Sequence, residues 1–377
     1  MAKYVDKEVS LAFDIYGCPN RCRHCWLGNA SATIMDRGEV YREFEHIREH
    51  VEHGLEKPYL DNVRYFAHDF REPDFSDDYQ ELHETELKYN NGVNFRREYE
   101  LLSVWRLARD KEYGEWAKRR IGPEKCQVTL FGIEKTNDWF YRRKGAYQDV
   151  IKATMKLLEV GIKPRWQLFQ TKKILPELDE ILKLIDKLDL RKRVAELGGE
   201  FELFMHDPDP IGEGMCLEPL RITAAGLKYI PEELVESTKK HFNEEELYYT
   251  ESDLLEEIQG EDDRTIGVTY SPELWFFVKS NWDVFANIGS LEPWWRLGNL
   301  KRDTLESIFF TFLENQTMGL NTVSTKSTKE IAHLYGNKGS DCIYMSKKDL
   351  IDLYVEQYCR DRLNLLRTRS LNRIDKY

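Results

Sequence analysis

The chain has 377 residues, 67 of them acidic and 55 basic, for a formal net charge of −12. That excess of carboxylates disfavours a nucleic-acid or anionic-membrane partner, and a content of 41% hydrophobic and 12% aromatic residues excludes a disordered chain and allows a sizeable core. No run approaches the roughly 18 uninterrupted apolar residues of a membrane span, and residues 1–8 lack the apolar centre of a secretory signal, so a cytoplasmic protein without a membrane partner is expected.

The first strand is expected over residues 9–16, an apolar run that stops at Gly17 and delivers the chain into Cys18. Short apolar runs at 62–67, 126–131, 162–169 and 201–205 repeat this form. Helical segments separate them. Residues 147–160 place Val150, Ile151, Met155, Leu157 and Leu158 on or near one face, with Gly161 as the stop. Residues 176–188 do the same with Leu178, Ile181, Leu182 and Ile185. Strands alternating with helices predict an α/β protein with a parallel sheet or barrel of βα units. Between 75 and 125 the pattern is mainly helical, including 98–109 and 112–120, which leaves the strand count one short.

After about residue 220 the pattern changes. Residues 231–263 read as charged helix with 13 acidic and 2 basic side chains, so the acidity belongs to this segment and the rest is near neutral. It is expected to face solvent or to dock a basic partner. Residues 273–278 and 282–285 form a predicted hairpin, and a long amphipathic helix is expected from 347 to about 366. With no low-complexity linker and no internal repeat, the C-terminal third is expected to pack on the rest.

Seven cysteines are present, and three crowd into Cys18-Pro19-Asn20-Arg21-Cys22-Arg23-His24-Cys25. An odd count with this crowding suits a reduced compartment and a metal site better than a disulfide framework. CxxxCxxC on a short loop can wrap three corners of an iron–sulfur cube, whose full thiolate set is four. With three ligands nearby, one iron is left open for a substrate or cosubstrate, and the carboxyl end of a strand is where βα barrels place their active sites. The competing readings are zinc and a non-catalytic iron–sulfur carrier or sensor. Zinc sites supply two ligand pairs, whereas only Cys22 and Cys25 have pair spacing. A carrier predicts a fourth nearby cysteine and a small domain.

This loop, with an aromatic position before the third cysteine held here by His24, resembles the signature of the radical S-adenosylmethionine enzymes. The resemblance extends over about residues 8 to 210 and implies a partial (β/α)6 TIM-like barrel over 1–220, with an α+β C-terminal extension over 221–377. It implies one [4Fe–4S] cluster on Cys18, Cys22 and Cys25, S-adenosylmethionine as cosubstrate, and an electron donor such as flavodoxin or ferredoxin. In that family the second strand ends in a Gly-Gly-Glu type turn that holds the cosubstrate's amino group. Here Phe70-Arg71-Glu72-Pro73 keeps the acidic-Pro ending at Glu72 without the glycines. Residues 128–132 and 142–147 are similar to the fourth strand and following loop of the peptide- and natural-product-modifying branch. By position Thr129 supplies a hydroxyl, Arg142 or Arg143 a guanidinium for the carboxylate, and Gln167, on one face with Arg165 and Phe169, is a further candidate. The implied reaction is reductive cleavage to a 5′-deoxyadenosyl radical that abstracts a hydrogen atom from the substrate.

Residues 278–309 keep the outline of the cysteine-rich SPASM or twitch extension of many relatives, but its cysteines are absent and Asn287 stands near where one would fall. Cys126, Cys216, Cys342 and Cys359 are scattered singly. A degenerate extension without an auxiliary cluster is therefore expected, and with it a redox-neutral outcome. Cys216 is a candidate hydrogen-atom donor, against the ordinary reading of a buried small residue. Asp207 and Asp209 read equally as polar-substrate ligands or turn formers. His46, His50 and His53 share a helical spacing but alternate with charged residues, as on a solvated face, and the Trp294-Trp295 pair reads as core before pocket. With 17 residues before Cys18, no N-terminal peptide-recognition or cobalamin domain is expected. The expected substrate is a small molecule or short peptide of a biosynthetic pathway, with peptide maturation as the alternative.

Overall fold

The computed structural model describes residues 5–28, 33–50, 59–268 and 273–374. The described strands are β1 (Val5–Phe13), β2 (Leu60–Ala67), β3 (Lys125–Leu130), β4 (Lys163–Phe169), β5 (Leu203–His206), β6 (Tyr249–Thr250), β7 (Leu274–Val278), β8 (Asp283–Ala286), β9 (Gly298–Asn299) and β10 (Ile343–Tyr344). Helices fill most of the connections, so the α/β class holds. The first five strands fall within a few residues of the five expected apolar runs.

These strands form two principal sheets and not one closed barrel. One has the order β2-β1-β7-β8-β9 and the other β3-β4-β5, while β6 and β10 make a separate antiparallel pair. β1 lies parallel to β2, with Leu11 opposite Phe66, and parallel to β7, with Leu11 opposite Phe276. Val9, Leu11, Ala12 and Phe13 are all essentially buried, the continuous apolar strand that a sheet covered on both faces requires. β3, β4 and β5 are parallel, with Thr129 opposite Gln167 and Gln167 opposite Phe204. Among the described residues no ladder joins β2 to β3. The chain between them passes the edge of β3 with one hydrogen bond, from Gln127 N to Glu100 O at 3.0 Å.

That passage explains why the helix expected over 98–109 is only Val104–Leu107. Glu100 has φ +52°, outside helical backbone, and pairs with Arg165 at 2.9 Å; Ser103 then starts the short helix by accepting from Arg106 N. Elsewhere periodicity dominates. The helix Ala146–Glu159 buries Ala146, Val150, Ala153 and Leu157. It stops at Gly161, φ +74°, where Ile162 N reaches Leu157 O at 2.9 Å and Gly161 N reaches Leu158 O at 3.3 Å, a left-handed glycine stop. The acidic stretch 231–263 is two helices, Glu232–Phe242 and Glu251–Gly260, separated at Asn243, φ +55°. It buries Leu234, Leu254, Leu255 and Ile258 and turns most of its carboxylates to solvent.

The C-terminal third is continuous with the N-terminal sheet. β7 extends it in parallel and β8 returns as the expected hairpin. One apolar core joins β1 and β2 to Leu254, Phe276, Phe309 and Tyr354, and a second lies around β3, β4 and β5. The last helix, Lys347–Ile374, packs along the first core. No described helix is long and apolar enough to cross a membrane.

Candidate active site

The cysteine loop leaves β1 at the seam between the two cores: Cys22 packs against the second and Cys25 against the first. It is braced on three sides. Asp14, just past β1, accepts from Arg71 Nε at 2.6 Å, and the same guanidinium donates to Gly28 O at 2.6 Å and Leu27 O at 3.1 Å. Arg23 N donates to Phe140 O at 2.8 Å and Arg23 Nε to Trp139 O at 3.1 Å, which fixes the outer edge to the helix Glu134–Tyr141. On the third side Glu213 N donates to Cys25 O at 3.0 Å. A Cβ on Gly212, φ +58°, would lie 2.4 Å from Trp26 O, so this approach requires glycine.

Burial pushes the thiols of Cys18, Cys22 and Cys25 up, and the carboxylate of Glu72 adds to the first two. A set of desolvated thiols becomes thiolate when metal supplies the countercharge. Asn20 N donates to Cys18 Sγ at 3.4 Å, a contact that stabilises metal-bound sulfur. No group of three His, Cys, Asp or Glu side chains that could hold a metal ion is found among the described residues. Three cysteines on one short loop are the donor type of an iron–sulfur cluster, in which each thiolate binds its own iron.

Each residue expected at the cosubstrate has defined partners. The His24 ring lies 4.4 Å from Phe131 and 4.7 Å from Phe169. Burial and the charge of His206 push its pKa down to about 3, so it stands as a neutral ring beside the two phenylalanines. Glu72 accepts from Ser103 Oγ at 2.7 Å and Trp105 N at 3.1 Å, and burial raises its pKa. Thr129 and Gln167 share the polar face of β3 and β4, 3.3 Å apart, and Gln127 Nε2 donates to Gln167 Oε1 at 2.8 Å. The two arginines diverge. Arg143 donates to Asn20 Oδ1 at 2.6 Å inside the cysteine motif and to Asp149 at 2.5 Å, whereas Arg142 pairs with Glu213 at 2.8 Å.

Other candidates separate. Cys216 is exposed, on the 3-10 helix Gly212–Leu220. Asp207 is buried in an ion pair with Arg221 at 2.7 Å, both side chains 1% exposed; Asp209 lines the cavity. His46 pairs with Glu43 and is half exposed, the His50 ring stacks on Tyr59, and His53 lies outside the described residues. Asn287 completes the β7–β8 end, accepting from Trp275 N at 2.9 Å and donating to Glu273 O at 2.7 Å.

Beside the loop lies a cavity of about 600 Å³, within the usual range for a small-molecule or peptide-side-chain site. Trp26 and Phe70 line it near the cysteines, Tyr65, Trp275 and Phe277 form its aromatic flank, and Asp352 and Glu356 of the last helix reach it from the other side. The sequence reading did not single these out, although Trp26 adjoins Cys25 and Asp352 and Glu356 are one helical turn apart. The Trp294-Trp295 pair is core and wall at once: both are buried, both indole N–H groups donate to Glu356, and Trp295 lines the cavity.

The sequence matches no family model and no curated protein. Among solved structures, the chain is similar to native anSMEcpe with bound AdoMet and Cp18Cys peptide, with TM-score 0.48, 16% identity, and 96% of this chain and 99% of that one covered. It is similar to Streptococcus suis SuiB bound to S-adenosylmethionine, with TM-score 0.46, 11% identity, and 88% and 75% covered. It is also similar to SuiB bound to precursor peptide SuiA, with TM-score 0.41, 12% identity, and 74% and 60% covered.

Proposed function

We propose that the chain is a radical S-adenosylmethionine enzyme with one [4Fe–4S] cluster on Cys18, Cys22 and Cys25, built on a partial barrel over 1–220 and an extension over 221–377. The observation that carries this is a single braced loop holding three desolvated thiols beside a large cavity. When bound, the cluster and cosubstrate supply reductive cleavage to a 5′-deoxyadenosyl radical, which removes a hydrogen atom from the substrate.

The chain's own residues position and exclude. Arg71 holds both ends of the loop so that the thiols are set before metal arrives, which is preorganisation by ordinary hydrogen bonds. Glu72, Thr129, Gln167 and one of the two arginines receive the polar parts of S-adenosylmethionine, and Arg143, already against Asn20, is the better placed. His24 offers an apolar face between Phe131 and Phe169. The aromatic flank of the cavity keeps water from a reactive centre. Cys126, Cys342 and Cys359 lie on separate elements, and Cys216 is exposed, which supports a single cluster and a redox-neutral outcome.

Of the two substrate classes, the short peptide has the better support, because similar structures were solved with peptides bound. Anaerobically reconstituted protein is expected to hold about four irons per chain and to release 5′-deoxyadenosine on reduction with S-adenosylmethionine. About eight irons would sink the single-cluster reading, and cleavage that survives in Cys22→Ala would sink the whole assignment.

A further inference from the structure

Asp149 lies in the first turn of the helix Ala146–Glu159 and is 6% exposed. One of its oxygens, Oδ2, holds two guanidinium groups: Arg143 Nη1 donates to it at 2.5 Å and Arg109 Nη2 at 2.8 Å. A single carboxylate cannot neutralise two arginines, so positive charge is left over beside the cysteine loop.

Each arginine leads onward. Arg143 Nε donates to Asn20 Oδ1 at 2.6 Å, and Asn20 N donates to Cys18 Sγ at 3.4 Å. Arg109 Nη1 donates to Trp105 O at 3.0 Å, and Trp105 N donates to Glu72 Oε1 at 3.1 Å. Asp149 therefore joins the cysteine motif to Glu72 through two arms.

A guanidinium is a rigid planar fork. The cysteine loop holds Arg143 at Nε and the helix holds it at Nη1, so two acceptors on different elements set its plane. The remaining nitrogen, Nη2, makes no hydrogen bond among the described residues. The charge of Arg143 acts on both Cys22 and Glu72, a cluster ligand and the residue expected at the cosubstrate's amino group. In S-adenosylmethionine the carboxylate is one carbon away from that amino group, so an arginine placed here meets it. Arg142 is directed elsewhere: its left-handed backbone, φ +51°, ends the helix Glu134–Tyr141, and its guanidinium goes to Glu213.

We propose that Asp149 is a positioning residue: through Arg143 it aims the free edge of that guanidinium at the carboxylate of bound S-adenosylmethionine. The inference rests on the reading of the chain as a radical S-adenosylmethionine enzyme and adds to it a residue that acts from behind the site.

The test is calorimetric titration of the anaerobically reconstituted protein with S-adenosylmethionine, at equal iron content, for the native protein, Asp149→Asn, Arg143→Ala and the double variant. Asp149→Asn keeps the shape of the side chain and removes its charge; it is expected to weaken binding about tenfold, the worth of one charge-assisted hydrogen bond. Arg143→Ala should weaken binding at least as much. In the Arg143→Ala background the asparagine substitution should change affinity by less than about twofold, because no guanidinium is left to aim, whereas a merely structural contribution would persist. Native affinity in Asp149→Asn, or a loss that is undiminished without Arg143, overturns the proposal. Should Asp149→Asn fail to take up iron, Arg143→Lys carries the test, since it keeps the charge without the fork; native affinity in that variant also overturns the proposal. Native protein that binds the cosubstrate but releases no 5′-deoxyadenosine on reduction overturns the enzyme reading alone, and native protein that binds none overturns both.

Discussion

The two ends of the cavity are built on opposite plans. At the cysteine end charged groups are held by partners within the chain: Arg71 makes three hydrogen bonds, Arg143 joins Asn20 to Asp149, and Glu72 caps a helix. At the far end Glu356, 1% exposed, accepts from three neutral donors, Ser290 Oγ, Trp294 Nε1 and Trp295 Nε1. A site for a resident cofactor gains from internal satisfaction, because the ligands must hold one geometry. The comparison teaches that a buried carboxylate can be held in two ways, by arginines as at Asp14 and Asp149 or by indole and hydroxyl donors as at Glu356.

The largest expected effect breaks the cysteine end. The Arg71 and Asp14 side chains are 3% and 2% exposed. Arg71→Ala leaves a buried carboxylate unpaired and two carbonyls without a donor, a loss of about 3 to 5 kcal/mol, and it should reduce iron content after reconstitution. Arg71→Lys should rescue poorly, since one ammonium cannot reproduce a planar fork with three acceptors. Thermal unfolding and iron per chain check both. Full iron loading of the alanine variant would show that the brace is dispensable.

The next effect sharpens the far end through pH. Burial pushes the pKa of Glu356 up to about 7, its indole and hydroxyl donors pull it down, and the charge of Glu292 adds to the rise. A carboxyl raised in the folded state binds its proton more tightly there than in the unfolded chain. Its contribution is full below the usual carboxylate range and is lost as pH rises through about 7. The loss amounts to about 3 kcal/mol at most. Glu356→Gln shifts stability by a constant offset, since the amide cannot accept all three donors, but the slope between pH 5 and 8 should flatten. An unchanged slope would mean that Glu356 is not the titrating group.

How much of this was legible in sequence follows from the range of the interactions. The strands at the cores and the hairpin at 274–286 were legible because apolar runs report local burial. So was the cysteine loop, whose ligands are neighbours in sequence. The short helix at 104–107 was not, because Glu100 turns away from helical backbone to meet Arg165 and Gln127, partners more than twenty-five residues distant. Asp352 and Glu356 were not, because on the last helix they look like ordinary surface carboxylates until the indoles of Trp294 and Trp295 close over one of them. Arg71 lay inside a segment singled out for Glu72, yet its role depends on Asp14 and the carbonyls of Leu27 and Gly28 arriving from the other side. Side chains whose meaning is set by a partner across the fold carry no local period, so pattern reading passes over them.

The smallest expected effect bears on the cysteine end again. His24 Nδ1 is buried without a partner, and the ring is already neutral at pH 7 because burial and the charge of His206 hold its pKa near 3. If the position requires an aromatic ring and nothing more, His24→Phe keeps the packing on Phe131 and Phe169 and removes one unsatisfied nitrogen, for a gain of about 1 kcal/mol. His24→Ala instead leaves a void and should cost stability. Unfolding curves of the two variants decide the matter. A destabilised phenylalanine variant would mean that the unpartnered nitrogen is held for a ligand, which would make the two ends of the cavity more alike than their charges imply.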